Sequence, residues 1–147
     1  MTLQSRIEAA ISSCTGQEAQ FVDSKTVHGG CINDSQIMSL KDGRQFFIKT
    51  NPESKTRPGL FETEYDALLL LSAPGVIHVP KPIACADDFI VMETFNEGTP
   101  AADWQEQMGR SLAELHAATK TERFGFSTDN YLGLSKQINS WQDDWHS

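Results

Sequence analysis

At 147 residues, with 39% hydrophobic and 22% charged side chains, the chain is long enough for one domain with a real core, or for one and a half small lobes. A net charge of -8 leaves no basic face to displace counterions, which excludes nucleic acid as a partner, and no stretch is long and apolar enough to span a membrane. Three cysteines, Cys14, Cys31 and Cys85, odd in number and without metal-ligand spacing, read with the lack of a basic-plus-apolar start as free thiols of a cytoplasmic chain.

Thr2 caps a predicted helix in which Leu3, Ile7, Ala10 and Ile11 share one face and which ends near Thr15-Gly16. We expect it to pack on the outside of a sheet. Phe21 to Val27 is predicted as a strand leading into a small-residue turn, His28-Gly29-Gly30-Cys31-Ile32-Asn33. Strands are expected over Ser35 to Leu40 and Arg44 to Thr50, joined by Lys41-Asp42-Gly43, because Asp-Gly between apolar runs supplies the positive φ of a hairpin turn. Strand alternation puts Phe46 and Ile48 on one face and Phe47 and Lys49 on the other. A lysine ending an apolar strand calls for an anion. The glycine turn one hairpin earlier suggests phosphate, which backbone N–H groups and the Lys49 ammonium can both reach.

A polar loop with two prolines follows from Asn51 to Gly59. Leu60 to Ser72 is predicted as a helix stopped by Pro74-Gly75, with Phe61, Glu64, Tyr65, Leu68 and Leu71 on one stripe. A carboxylate among apolar neighbours either escapes to the surface or meets a cation. Glu64 is thus a rim residue or the partner of Lys49, and Glu62, in a more polar direction, is the competing partner.

Val76 to Ala84, carrying Pro80 and Pro82, suits an edge strand or an extended connector. Phe89-Ile90-Val91-Met92-Glu93 is a nearly continuous apolar strand, expected to be buried on both faces and broken by Asn96-Glu97-Gly98-Thr99-Pro100. Trp104 to Ala118 is a second amphipathic helix, with Trp104, Met108, Leu112 and Leu115 on one face. Gly109 inside it suggests close packing, and His116 reads as structural. Phe124-Gly125-Phe126 and Asp129 to Gly133 read as a loop. Asn139 to Trp145 reads as the opening of a further helix, with tryptophans at i and i+4 and no helix-ending signal. There is no nucleophile elbow, HExxH, CxxC or Walker-type loop.

The arrangement resembles the N-lobe of protein-kinase-like folds. More closely, Gly29-Gly30-Cys31-Ile32-Asn33, Phe47-Ile48-Lys49 and Phe61-Glu62-Thr63-Glu64 resemble the fructosamine kinase family, whose wider relatives are the aminoglycoside and choline kinases. The likeness continues through Val79-Pro80-Lys81-Pro82, Val91-Met92-Glu93, Met108 to His116, Phe124-Gly125, Asn130 to Gly133 and Asn139 to Trp145.

This resemblance implies an α+β fold: a five-stranded antiparallel sheet with a helix equivalent to αC, then the beginning of a helical C-lobe. It divides the chain into an ATP-binding lobe, 1–95, and a linker with an incomplete C-lobe, 96–147. It implies that Gly29, Gly30, Cys31, Ile32, Asn33 and Lys49 attend the nucleotide, with Lys49 and Glu64 as a catalytic pair. By the same likeness Met92 lines the adenine pocket, and Glu93 and Phe95 offer main-chain contacts. The implied reaction moves the γ-phosphoryl of ATP to the 3-hydroxyl of a ketosamine, on a small amine or on protein, as deglycation repair.

Two departures matter. Phe47 stands where protein kinases carry a small alanine. None of His28, His78, His116 and His146 precedes a Gly-Asp pair, so the catalytic Asp loop and the magnesium-binding Asp of the family are absent. We therefore expect an N-terminal fragment that is inactive alone, the Mg2+ ligand belonging to the missing half. The alternatives are a non-catalytic lobe that binds nucleotide or a partner, and a relative that phosphorylates an aminoglycoside- or choline-like alcohol. Cys31 in the glycine turn is either a tolerated small residue or a redox-sensitive thiol able to join two copies as a disulfide homodimer.

Overall fold

The computed structural model describes residues 1–29, 32–53 and 56–144. Its centre is the hairpin of β2 (Asp34–Leu40) and β3 (Gln45–Thr50). Gly43 takes φ 88°, and the Asp42 carboxylate accepts the Arg44 N–H at 3.0 Å and its Nε–H at 2.7 Å, which fixes the turn from its own side chains. On one side β2 pairs with β1 (Phe21–Thr26). On the other, β3 pairs with β5 (Phe89–Glu93), which in turn pairs with β4 (Pro82–Ala86). The result is a five-stranded antiparallel sheet in the order β1-β2-β3-β5-β4.

Alternation along β3 and β5 gives the sheet two separate cores. On one face Phe46, Ile48, Phe89 and Val91 meet Ile7 and Ile11 of α1 (Leu3–Thr15). On the other, Ile90 and Met92 meet Phe61 of α2 (Leu60–Ser72), with Phe47, Tyr65 and Leu68 packed around them. Burying one such side chain contributes about 1.5–3 kcal/mol. The α1 helix begins and ends as expected: Thr2 Oγ1 accepts the Ser5 N–H, and Gly16 closes the helix at φ 70°. β5 is buried on both faces from Phe89 to Met92.

Several expectations are corrected. The edge strand is Pro82–Ala86 rather than Val76 to Ala84, with Pro82 as its first residue, where a missing N–H costs least. Leu71 leaves the apolar stripe and is 41% exposed, as Leu69 and Leu70 are also exposed. In α3 (Trp104–Ala118) Leu115 is buried, but Gly109 packs closely on nothing: a Cβ there would meet no atom within 4 Å. The Asn130 to Gly133 segment is part of a small hairpin of β6 (Asn130–Leu132) and β7 (Ser135–Gln137) rather than a loop.

Nor is there a helix over residues 139–144. Both backbone groups of Gln142 are committed to Phe124, at 2.7 and 2.8 Å, and the Asn139 carbonyl accepts the Phe126 N–H at 3.0 Å. Gly125, at φ 143°, permits this approach, since a Cβ there would lie 2.9 Å from the Trp141 Cα. Trp145, the second tryptophan of the expected helix, lies outside the described residues.

Candidate nucleotide site

Lys49 stands opposite Ile90 in the β3–β5 register, so its side chain leaves the sheet on the face that α2 covers. Phe61 anchors that helix, and Glu64 sits one turn further along it. The two ends meet: Lys49 Nζ lies 2.5 Å from Glu64 Oε1, with the side chains 29% and 28% exposed. Charge-assisted contacts of this kind are short, and this one holds the ammonium at a set place on the sheet. Glu62 is exposed and takes no part. Of the two readings of Glu64, the lysine partner is the one the structure adopts.

Lys49 forms one wall of a cleft of about 600 Å³ under the sheet. Val27, Ile37, Phe47, Pro80 and Met92 give it an apolar lining, and Lys25, His28, Glu93, Thr94, Phe95 and Glu97 complete its rim. An apolar slot with a few convergent polar groups, in this size range, is the form of a small-molecule site. A second, polar cleft of about 400 Å³ adjoins it, lined by Gly29, Asn33, Ser35, Gln36 and Thr50 among others, and His28 borders both. A depression of about 610 Å³ at Gln17, Glu18, Gln20, Lys41 and Asp42 lies around the β2–β3 turn and the end of α1, away from Lys49.

The structure therefore brings Lys49, Met92, Glu93 and Phe95 to one cleft, with Glu64 behind Lys49 as its partner, and Gly29 and Asn33 to the neighbouring cleft. Gly30 and Cys31 lie outside the described residues. Ile32 turns away from both clefts toward the β6–β7 hairpin, where its Cδ1 would be 3.5 Å from a Cβ placed on Gly133. Glu93 is more constrained than sequence suggested. Its N–H donates to the Lys81 carbonyl at 2.8 Å, and its carboxylate accepts the Lys81 N–H at 3.2 Å and lies 3.5 Å from His78 Nε2. Only its carbonyl remains to be offered toward the cleft. The His78 ring also stacks obliquely on Phe95, at 4.8 Å and 50°.

Sequence reasoning missed Lys25, Thr26, Val27, His28, Ile37, Pro80, Thr94 and Glu97 as lining residues. The strand pattern placed Val27 and Ile37 in strands but did not say which face the cleft would use. Among the described residues there is no group of three or more His, Cys, Asp or Glu that could hold a metal ion. No helix is long and apolar enough to cross a membrane among them. Cys14 and Cys85 are free thiols.

Such a sheet, with a strand lysine paired to a helix glutamate on one face, defines the protein-kinase-like class of fold. A crystal structure from Haemophilus somnus, provisionally named a fructosamine-3-kinase, superposes with a TM-score of 0.84 over 95% of this chain and 48% of that one; at 22% identity it carries the fold alone. A second, from Thermobifida fusca and provisionally given the same name, superposes at 0.73 with 26% identity and the same coverage. The family model described as fructosamine kinase matches residues 3–147, and the chain belongs to that family.

Among curated proteins, a provisionally named ketoamine kinase of Synechocystis is 35% identical over 95% of this chain and 48% of its own length. The chloroplastic protein-ribulosamine 3-kinase of Arabidopsis thaliana is 36% identical over 88% of this chain and 40% of its own. The chain thus spans about half the length, or less, of the curated relatives it matches.

Proposed function

We propose that this chain supplies the nucleotide-binding half of a kinase that phosphorylates ketosamines, using ATP. The observation that carries the reading is the Lys49–Glu64 ion pair at the wall of the apolar cleft. The cleft fits the nucleotide: Val27, Ile37, Phe47 and Met92 would cover the base, the Glu93 carbonyl and the Phe95 backbone would face its polar edge, and Lys49 would hold the phosphates. Bound ATP supplies the phosphoryl group. This chain's own residues orient it, with Glu64 keeping the ammonium from swinging into solvent. Phosphoryl transfer asks mainly for such positioning and charge placement. Among the described residues no carboxylate cluster fits magnesium.

Substrate class rests on kinship, since the relatives are named for ketoamines and for protein-bound ribulosamine. Organisation into an ATP-binding lobe, 1–95, and a linker with the start of a second lobe, 96–147, is part of the same proposal. In its support, both sheet cores lie before Glu93, and beyond Met92 Leu115 is the one buried residue among those described. The test is a calorimetric titration of the 147-residue chain with ATP. Saturable binding weakened by Lys49→Ala is expected, and absence of binding would overturn the reading. A ketosamine-dependent ATP-consumption assay on a chain extended with a relative's second half tests the substrate class separately. A Cys31-linked dimer is not part of the proposal: Cys31 lies outside the described residues.

A further inference from the structure

Two residues beyond Lys49, in what the sequence presents as an ordinary polar loop, Asn51 is only 2% exposed. A buried amide has to be hydrogen-bonded, and its partners say what it does. Its Oδ1 accepts the Glu53 N–H at 2.8 Å. A backbone N–H can only donate, so this contact fixes the amide's orientation and turns Nδ2 outward, where it donates to Asn33 Oδ1 at 2.9 Å. The Asn51 backbone N–H in turn donates to the Asp88 carbonyl at 3.1 Å. Asp88 is itself clasped by both terminal nitrogens of Arg6, at 2.7 and 2.8 Å. A continuous line of bonds runs from α1, through the turn between β4 and β5, to Asn51, and ends on Asn33 beside β2.

We propose that Asn51 is a positioning residue for the nucleotide site. By gripping Asn33 it fixes the entry of β2 at one spacing from the strand that carries Lys49, so that the polar cleft lined by Gly29, Asn33 and Thr50 keeps its place beside the lysine. The Asn33 side chain is accordingly a brace rather than a ligand, although Asn33 borders the polar cleft. This inference rests on the nucleotide-binding reading above. A purely structural role for Asn51 would need only its bonds to Glu53 and Asp88. The bond to Asn33 is the one that role does not use.

The test therefore cuts at Asn33, which leaves the other two bonds in place. Hydrogen–deuterium exchange of the 32–36 amides and the ATP dissociation constant are measured on the full chain for Asn33→Ala, Asn51→Ala, the double variant and Asn33→Asp. Losing one hydrogen bond should speed exchange in 32–36 and weaken ATP binding by about threefold to tenfold. The effect in the double variant should equal that of Asn51→Ala rather than the sum of the two. Asn33→Ala, which leaves the buried Asn51 Nδ2 without its acceptor, should lower the melting temperature less than Asn51→Ala does, and Asn33→Asp, which retains the acceptor oxygen, should keep parental exchange. Parental exchange and affinity in Asn33→Ala, or additive losses in the double variant, would overturn the proposal while leaving the nucleotide site standing. Absence of ATP binding by the parent would sink the site and the positioning role together, and exchange alone would then report whether the brace exists.

Discussion

Phe61 and Glu64 lie one turn apart on α2, the first sealed completely from solvent and the second reaching Lys49, so the ring that docks the helix also places its carboxylate. Phe61→Ala should cost about 3–5 kcal/mol, the usual penalty for such a core truncation, and should weaken ATP binding as α2 loosens. Ile11→Ala, on the opposite core, should cost about 2–5 kcal/mol and leave ATP affinity at its parental value once the chain is folded. Urea melts paired with nucleotide titration separate the two. Equal loss of affinity in both variants would mean that α2 is not independently anchored.

In the chain extended to full family length, Lys49→Ala should lower kcat by about 10²–10³-fold, as removal of one preorganised charge donor does, with near-parental folding. Glu64→Ala should show a milder form of the same defect, because the ammonium remains but is no longer held. Rates of ATP consumption with a fructosamine decide this. Parental turnover in both variants would show that the pair does no chemistry.

Burial pushes the Cys85 thiol above its ordinary pKa, and the carboxylates of Glu62 and Asp66 push in the same direction. Less of it is therefore thiolate at any mildly alkaline pH, while Cys14 is exposed. Timed alkylation followed by mass spectrometry should find Cys14 modified well before Cys85. The reverse order would place Cys85 in a more open or more positive setting than the sheet edge provides.

The Arg44 backbone N–H, with the Arg44 side chain, holds the Asp42 carboxyl below its ordinary value of 3.8. A depressed carboxylate contributes stability that is present above the unfolded value and lost as pH falls through the folded one. The β2–β3 turn should therefore lose this contribution only as pH drops below about 3.8. Asp42→Asn should be slightly less stable at neutral pH and should show a shallower acid limb in a plot of melting temperature against pH. Identical acid limbs would remove Asp42 from the account.

How legible was this in the sequence? Wherever a single local rule governs, it was read correctly: Thr2 and Gly16 bound α1, Asp42-Gly43 turns the hairpin, and alternation sends Phe46 and Lys49 to opposite faces. The Lys49–Glu64 pair was one of two readings the sequence left open, because a carboxylate among apolar neighbours either reaches the surface or meets a cation, and only the fold decides between them. Residues 139–144 were misread because a tryptophan spacing of four is compatible with a helix, whereas the competing partner, Phe124, is set by tertiary contact. Asn51 was passed over for a related reason: nothing local distinguishes a buried loop asparagine from an exposed one. Among the described residues nothing stands within 4 Å of a Cβ placed on Gly109, and a glycine inside a helix does not by itself say whether anything stands beside it.

The two-faced sheet has a consequence for how such a chain can change over generations. Substitutions in the layer around Ile7, Ile11 and Val91 should alter heat tolerance and leave the cleft untouched, whereas those around Phe61, Ile90 and Met92 should alter ligand preference together with robustness. β3 and β5 are the shared wall between these layers. Lineages could adapt to temperature and to ligand almost independently, by drawing on alternate positions of the same two strands.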